Sequence, residues 1–285
     1  MGFSLEVPAD VEAALRALSE GPPGATTVIA GGTDLLLDID LGRIAPQRVV
    51  SLRRLPWRSV DRRSGRLTVG SLLPLRELEK DPALPDDHPG LFEAIRAVGS
   101  AALRTRATMG GNVVRSAPAS DLVPMLLASD AVVHLVGPSG RRRLALPEFL
   151  ASPRRPALGP GELLEAISLP EVVPGAYAWQ RVRPSNDISQ VGVAVGRTGA
   201  AGPWRVALGG ILPVPARIPS AEAALAGARP SDAEIQAASE AVARDAPFLT
   251  DRRATESYRR LIVGVLTRRA LRTARARAGG GDPRP

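Results

Sequence analysis

Two glycine pairs constrain this chain more than any other feature: "VIAGGTDLLL" from Val28 and "TMGGNVV" from Thr108. Glycine gives up more conformational freedom on folding than any other residue, so a pair of them marks a positive φ or a close approach that a Cβ would block. Ahead of the first pair, the β-branched "TTVI" reads as a buried strand that ends at the glycines. The N–H groups of Gly31, Gly32, Thr33 and Asp34 can then line a concavity of the kind that accepts phosphate oxygens. The Thr33 hydroxyl adds a donor, and Asp34 fits there if its carboxylate turns back onto neighbouring N–H groups. A plain tight turn is the other reading, because the pattern is neither the Gly-Lys-Ser/Thr loop nor the GxGxxG fingerprint.

In the second pair, Thr108, Gly110, Gly111 and Asn112 form another close-approach turn, followed by an irregular polar run from Ser116 to Ser120 and by Asp121. Ser120 or Asp121 can cap the helix "LVPMLLAS". Alternatively, Thr108 donates to a phosphate or ribityl oxygen and Asp121 accepts from a sugar hydroxyl. Taken together, the two turns would enclose a diphosphate from two sides, which suits an extended dinucleotide.

Composition narrows the chemistry. The chain has no cysteine, which excludes disulfides, thiolate zinc sites and any iron–sulfur cluster ligated by it. His88 and His134 are its only histidines, too few for a histidine-rich metal site. A redox role therefore needs an organic cofactor. The net charge of +8 comes almost entirely from arginines spread along the chain, with 3% aromatics and no stacking motif, so nucleic acid is not the expected partner. No stretch approaches the roughly 20 apolar residues of a membrane helix, and the N-terminus lacks a basic start followed by an apolar block. A cytoplasmic location is expected.

Periodicity predicts a helix over 8–20, strands in "TTVIAGG", "RVVSLRRL" and "RLTVGSLLPL", and helices in "PLRELEKDPAL" and "GLFEAIRAVGSAALR". A hairpin of "AVVHLV" and "RRRLAL" follows, then a strand in "ELLEAISLP". Beyond about residue 172 three strands, "AYAWQRVR", "SQVGVAVGR" and "WRVALGGIL", give way to helices, the last of them over "TESYRRLIVGVLTRRALRTARA". Tyr258, Leu261, Val265 and Leu266 form an apolar stripe on that helix, which is expected to face the core.

Five motifs in order, "IAGGTDLLLDI", "TMGGNVVRSAPASDL", "PGELLEAISLP", "QRVRPSNDISQVGVAVG" and "YRRLIVGVLTRRAL", make residues 5–273 resemble the FAD-binding medium subunit of molybdenum hydroxylases, the xanthine dehydrogenase and carbon monoxide dehydrogenase group. The resemblance implies an α+β fold: a two-lobed FAD-binding domain over 1–172 (lobes about 1–56 and 57–172), then a small antiparallel-sheet-plus-helices C-terminal domain over 173–273. A disordered basic tail, 274–285, would follow. It implies that Val28, Ile29, Ala30, Gly31, Gly32, Thr33, Asp34 and Leu35 wrap the FAD diphosphate, largely through backbone. Thr108, Gly110, Gly111, Asn112 and Asp121 match further cofactor contacts. Leu164 matches a leucine against the flavin ring, or is plain strand core. Arg181 matches a basic residue near the flavin, usually Lys in the family, with Arg183 as the alternative.

Departures bear on the branch. Thr33-Asp34 stands where carbon monoxide dehydrogenase-type members tend to carry His-Ser, which favours the xanthine branch. A phenylalanine that packs near the flavin in that branch is matched near Val98. The implied partners are a molybdopterin-binding large subunit and a small iron–sulfur subunit carrying [2Fe-2S] clusters, with NAD as one acceptor; no catalytic acid, base or nucleophile is expected on this chain. A stand-alone FAD-dependent reductase, and a scaffold of the same fold without FAD, are the alternatives.

Overall fold

A computed structural model describes residues 2–20, 22, 24–150, 152, 155–170, 173–183, 186–199 and 202–278. The first segment builds a small parallel sheet from β1 (Ser4–Glu6), β2 (Thr26–Ile29) and β3 (Arg48–Ser51), in the order β1-β3-β2. Asp10 caps the helix Val11–Ser19 by accepting from the Ala13 N–H, and Ala14 and Ala17 of that helix pack with Val50, Leu52 and Trp57. β2 ends directly at the first glycine pair, and the short helix Leu35–Asp40 starts just after it. β2 is half-buried along its length rather than fully buried, because the sheet is thin and its helix covers one side.

Five antiparallel strands form the second sheet: β4 (Val60–Arg63), β5 (Arg66–Gly70), β6 (Val132–Gly137), β7 (Gly140–Ala145) and β8 (Leu163–Pro170), ordered β4-β5-β8-β6-β7. β4 is absent from the expected elements because "VDRR" has no apolar alternation. The turn holds it in place: Ser64 and Gly65 both have positive φ, 58° and 67°, which suits a tight hairpin. The predicted helix across "GLFEAIRAVGSAALR" is two helices, Pro89–Ala97 and Ala101–Arg104, broken at Gly99 with φ 50° and restarted by the Ser100 cap.

The third sheet holds β9 (Gly175–Gln180), β10 (Val191–Arg197), β11 (Trp204–Gly209) and the two-residue β12 (Ala216–Arg217), ordered β12-β11-β10-β9 and antiparallel throughout. It has one strand more than the three expected. Val191, Val193 and Val195 face a core shared with the helices Asp232–Asp245 and Glu256–Ala278. The opposite face is paved with small residues, and the helix Leu122–Ala128 lies on it. A Cβ on Gly196 would sit 2.5 Å from the Ala128 carbonyl oxygen, and one on Gly209 would sit 2.7 Å from the Pro124 ring. "VGVAVGR" therefore encodes both a strand and the smooth bed on which a helix of the preceding segment rests.

The stripe expected on the last helix turns out to be its outer side. Leu261 is 70% exposed, and Tyr258 and Val265 are also exposed; of the four, only Leu266 is buried. The buried face runs through Arg259, Val263, Leu266, Ala270, Leu271 and Ala274. Arg259 sets that rotation: its guanidinium is fully buried and donates to the Leu249 carbonyl at 2.6 Å and the Asp251 carboxylate at 2.7 Å. The helix also continues to Ala278 with Ala274 buried, so 274–278 is structured rather than part of a disordered tail; 279–285 lies outside the described residues. Among the described residues no helix is long and apolar enough to cross a membrane.

The glycine bed carries a prediction. Gly196→Val forces a branched side chain into the Ala128 backbone and should cost about 1–3 kcal/mol, seen as a lower urea midpoint. An unchanged midpoint would show that the helix does not rest there.

Candidate functional site

The first glycine pair and the second are neighbours in space. An ideal Cβ on Gly31 would lie 1.8 Å from the Arg106 carbonyl oxygen and 3.3 Å from the Ala107 Cα. Gly31 is therefore a glycine because the backbone just ahead of Thr108 presses on it. The close approach expected at this glycine is made by the protein's own main chain. Gly32 answers a different need, a φ of 80° that a side chain would strain.

The second pair is held from behind by the segment after β5. Gly110 donates its N–H to the Ser71 carbonyl at 3.0 Å, Leu75 donates to the Ala107 carbonyl at 2.8 Å, and Pro74 and Thr108 form an isolated bridge. A Cβ on Gly110 would strike Ser71 at 2.5 Å. At Gly111 an added Cβ would meet only the Thr108 Oγ1, at a tight 3.0 Å, and no main chain. Where a close-approach turn is expected, Met109–Arg115 is a helix, capped by Thr108, whose Oγ1 accepts from the Gly111 N–H.

The donors sort themselves accordingly. The Gly110, Gly111 and Asn112 N–H groups are consumed by Ser71 and Thr108, so the second bend does not offer its amides as expected. The N–H groups of Gly31, Gly32, Thr33, Asp34 and Leu35 have no protein acceptor among the described residues. Beside them, the Thr108 hydroxyl keeps its proton to donate, and the Asn112 amide keeps its NH2 while its carbonyl accepts from Ser120 Oγ at 2.6 Å. Ser116, in the left-handed conformation at the end of the same helix, has a fully buried Oγ without a partner among the described residues. Sequence reasoning passed over that hydroxyl, since nothing in "VVRSAP" marks it.

Arg115 ties the two segments at their far end. Its guanidinium lies 3.5 Å from Asp34 and 2.7 Å from Asp38. Asp34 thus pairs across to the other segment; it makes no bond back to its own helix. Burial pushes the Asp38 carboxyl up, but hydrogen bonds from Arg43 and Arg115 outweigh it and hold the group below the usual carboxylate range.

Asp121 does not behave as a free sugar ligand. The cap of Leu122–Ala128 is Ser120, whose Oγ accepts from the Val123 N–H at 3.1 Å. The Asp121 carboxylate is buried, and its oxygens accept from Tyr177 Oη at 2.8 Å, from Ser189 Oγ, and from Arg181 at 3.3 Å. Arg181 is no exposed strand arginine: its side chain is 6% exposed, donates also to the Ala97 carbonyl, and lies over the Trp179 ring. Arg183 points outward to Asp187 and Asn186. Burial pushes the Asp121 carboxyl up to about 6, against the Ser189 and Tyr177 hydrogen bonds and the Arg181 charge. Burial and the Asp121 charge raise Tyr177 well above the usual phenol range. Leu164 is buried in β8, paired across the sheet with Leu135. Val98 is half-buried at the end of Pro89–Ala97.

Comparisons with known proteins give the family. Residues 1–172 match the family model described as the FAD binding domain in molybdopterin dehydrogenase. The chain belongs to that family. Residues 176–274 match the carbon monoxide dehydrogenase flavoprotein C-terminal domain. The xanthine dehydrogenase FAD-binding subunit of Escherichia coli O157:H7 is 27% identical over 94% of both chains. The carbon monoxide dehydrogenase medium chain of Hydrogenophaga pseudoflava is 26% identical over 96% of this chain and 98% of that one. A solved structure of carbon monoxide dehydrogenase from the same organism, 26% identical, superposes with a TM-score of 0.91 over 97% of this chain and 98% of that chain. Identities of 27% and 26% do not separate the two branches. The chain is an oxidoreductase flavoprotein subunit, and its cofactor is FAD.

Two predictions come from the site. Gly31→Ala must displace the Arg106 backbone and should destabilise the flavin-free protein by about 1–3 kcal/mol. Gly111→Ala presses only on the Thr108 hydroxyl at 3.0 Å, so it should cost the flavin-free protein less than Gly31→Ala, under about 1 kcal/mol, yet weaken FAD binding. Equal stability losses in the two variants would contradict the division of roles. For Asp121, the folded pKa is raised, so its contribution favours the fold at low pH and is withdrawn as pH rises through about 6. Wild type should therefore lose stability relative to Asp121→Asn between about pH 4 and 6, measured as the difference between their urea midpoints.

Proposed function

We propose that this chain takes electrons from iron–sulfur clusters on a small partner subunit, passes them through FAD, and delivers them to NAD or another acceptor, while a molybdopterin-binding large subunit oxidises the substrate. One observation supports the cofactor's place most directly. Five consecutive N–H groups, Gly31 to Leu35, lack acceptors among the described residues and lie beside a bend whose Thr108 and Asn112 retain donors. Such a nest suits a diphosphate, whose oxygens accept several N–H bonds at once. The orphaned Ser116 hydroxyl is a further polar group that a bound molecule or a water would satisfy.

When bound, FAD supplies the exchange between two-electron and one-electron transfer. The protein's part is to bind and orient. Gly31–Leu35 and Thr108 would hold the diphosphate, and the Arg115 pairs with Asp34 and Asp38 would keep the two segments together around it. Leu164 would supply apolar surface for the ring. Arg181 would act with Asp121 as a buried pair whose net charge depends on the Asp121 proton, a fixed source of positive potential when that proton is on.

The test combines retention and reduction. Thr108→Val should lose FAD from the purified complex, read in the visible flavin absorption, with affinity down roughly tenfold for one lost charge-assisted hydrogen bond; Thr108→Ser should restore it. Anaerobic NADH should bleach the flavin of the wild-type complex if NAD is the acceptor, whereas bleaching only by reduced partner clusters would assign another acceptor. A complex that retains FAD equally in the Val variant would overturn the placement.

A further inference from the structure

β9 is an edge strand, and its free edge is only half protected. In the β9–β10 register Ala176, Ala178 and Gln180 face Val195, Val193 and Val191, and the alternate residues Gly175, Tyr177 and Trp179 turn their N–H and C=O groups away from β10. Two charged side chains stand in for a neighbouring strand at the start of this edge. Arg277 donates to the Gly175 carbonyl at 2.7 Å, and Glu93 accepts from the Tyr177 N–H at 2.8 Å. These two are themselves paired, Arg277 to Glu93 at 2.5 Å. There the imitation stops: the Tyr177 carbonyl and the Trp179 N–H and carbonyl have no partner among the described residues.

A cavity of about 250 Å³ opens at this point, lined by Glu93, β9 residues Ala176–Trp179, and Arg269, Ala270 and Thr273 of the last helix. The β9 alanines and Ala270 leave its floor low. Arg269 is exposed and has no ion-pair partner among the described residues, and the Thr273 hydroxyl likewise has none. Glu93 is already neutralised by Arg277, so the unpaired charge facing the cavity is positive. A strand edge with unpaired backbone groups, a trough beside it and an unanswered cation together define a peptide site.

We propose that this edge binds a short, extended, acidic segment of a partner chain as an added strand beyond β9. The segment's backbone N–H and C=O pair with the Tyr177 carbonyl and the Trp179 N–H, and its carboxylate side chain reaches Arg269 and Thr273. This is strand addition, in which main-chain bonds give affinity and one side-chain pocket gives selectivity. Because Glu93 and Arg277 occupy the preceding edge positions, the register of the incoming segment is fixed and only two or three of its residues can pair. The site is separate from the glycine bends and does not depend on the FAD reading.

The experiment uses the full chain in its FAD-loaded form and acetyl-Val-Glu-Val-amide as the probe, followed by titration calorimetry and by Trp179 emission. Trp57 and Trp204 are buried and Trp179 is only half-buried, so the emission change reports on this edge. The parent peptide is expected to bind. Arg269→Glu, replacement of the peptide's Glu by Gln, and N-methylation of its central residue should each weaken it roughly tenfold, the scale of one lost hydrogen bond or charge pair. Arg269 lies on the helix exterior, so the variant should keep its flavin content and thermal midpoint, which separates loss of the site from loss of the fold. Absence of binding by the parent peptide would overturn the proposal. So would equal binding of the N-methylated peptide, or competition by acetate at the same concentration, which would indicate a bare carboxylate site with no strand pairing.

Discussion

The contact between Gly31 and the Arg106 carbonyl is the constraint on which the rest of the site depends. At that point one main chain crosses another with no side chain between them. The crossing places the amides of residues 31–35, unbonded among the described residues, beside the Thr108 cap, and the Ser71 and Leu75 bonds stop the segment from Ala107 to Gly110 from backing away. A hydrogen-bonded scaffold behind the crossing and ion pairs to Arg115 at its far end make the geometry independent of any ligand. Preorganisation of this kind lowers the ordering cost that binding would otherwise carry.

The same crossing explains why the two bends are chemically unequal. A helix N-terminus must dispose of its first N–H groups, and Thr108 and Ser71 do so within the protein. The preceding bend, closed by a positive φ at Gly32, leaves its amides without acceptors among the described residues. One bend is thus the wall and the other the donor array. Expecting both to donate assigns a single purpose to glycines that serve three: crossing at Gly31 and Gly110, backbone conformation at Gly32, and clearance for the capping Thr108 hydroxyl at Gly111.

Much of this was legible in the residues because the fold's punctuation is written in glycine, proline and caps. Five ordered motifs carried the family, and "TTVIAGG", "AVVHLV" and "WRVALGG" announced their strands through β-branched content. Long-range causes were not legible. β4 owes its place to a two-residue turn and a partner strand, the rotation of the last helix to a buried arginine, and the confinement of Asp121 to Tyr177, Arg181 and Ser189, all distant in sequence. Apolar periodicity found the last helix but chose the wrong face, since Val263, Ala270 and Ala274 pack better against the sheet than larger residues would. Small residues that allow close approach carry little weight in a hydrophobic pattern, yet they decide which side goes in.

The Asp121 cluster follows from the glycine bed beneath it. Because Gly196 and Gly209 let the helix Leu122–Ala128 settle onto β10 and β11, the residue at its start is carried below the surface, where a carboxylate is tolerated only with donors on each oxygen. All three donors come from the third sheet and its connection, so the carboxylate of one segment is satisfied only when the other is docked. Arg181 extends the bond to the Ala97 carbonyl, at the end of a further helix of the first segment. A misdocked arrangement would leave a buried acid and a buried guanidinium unanswered, a penalty of several kcal/mol that apolar packing alone would not impose. The polar cluster therefore does for orientation what the glycine bed cannot: smooth surfaces allow sliding, and a buried, fully partnered charge does not.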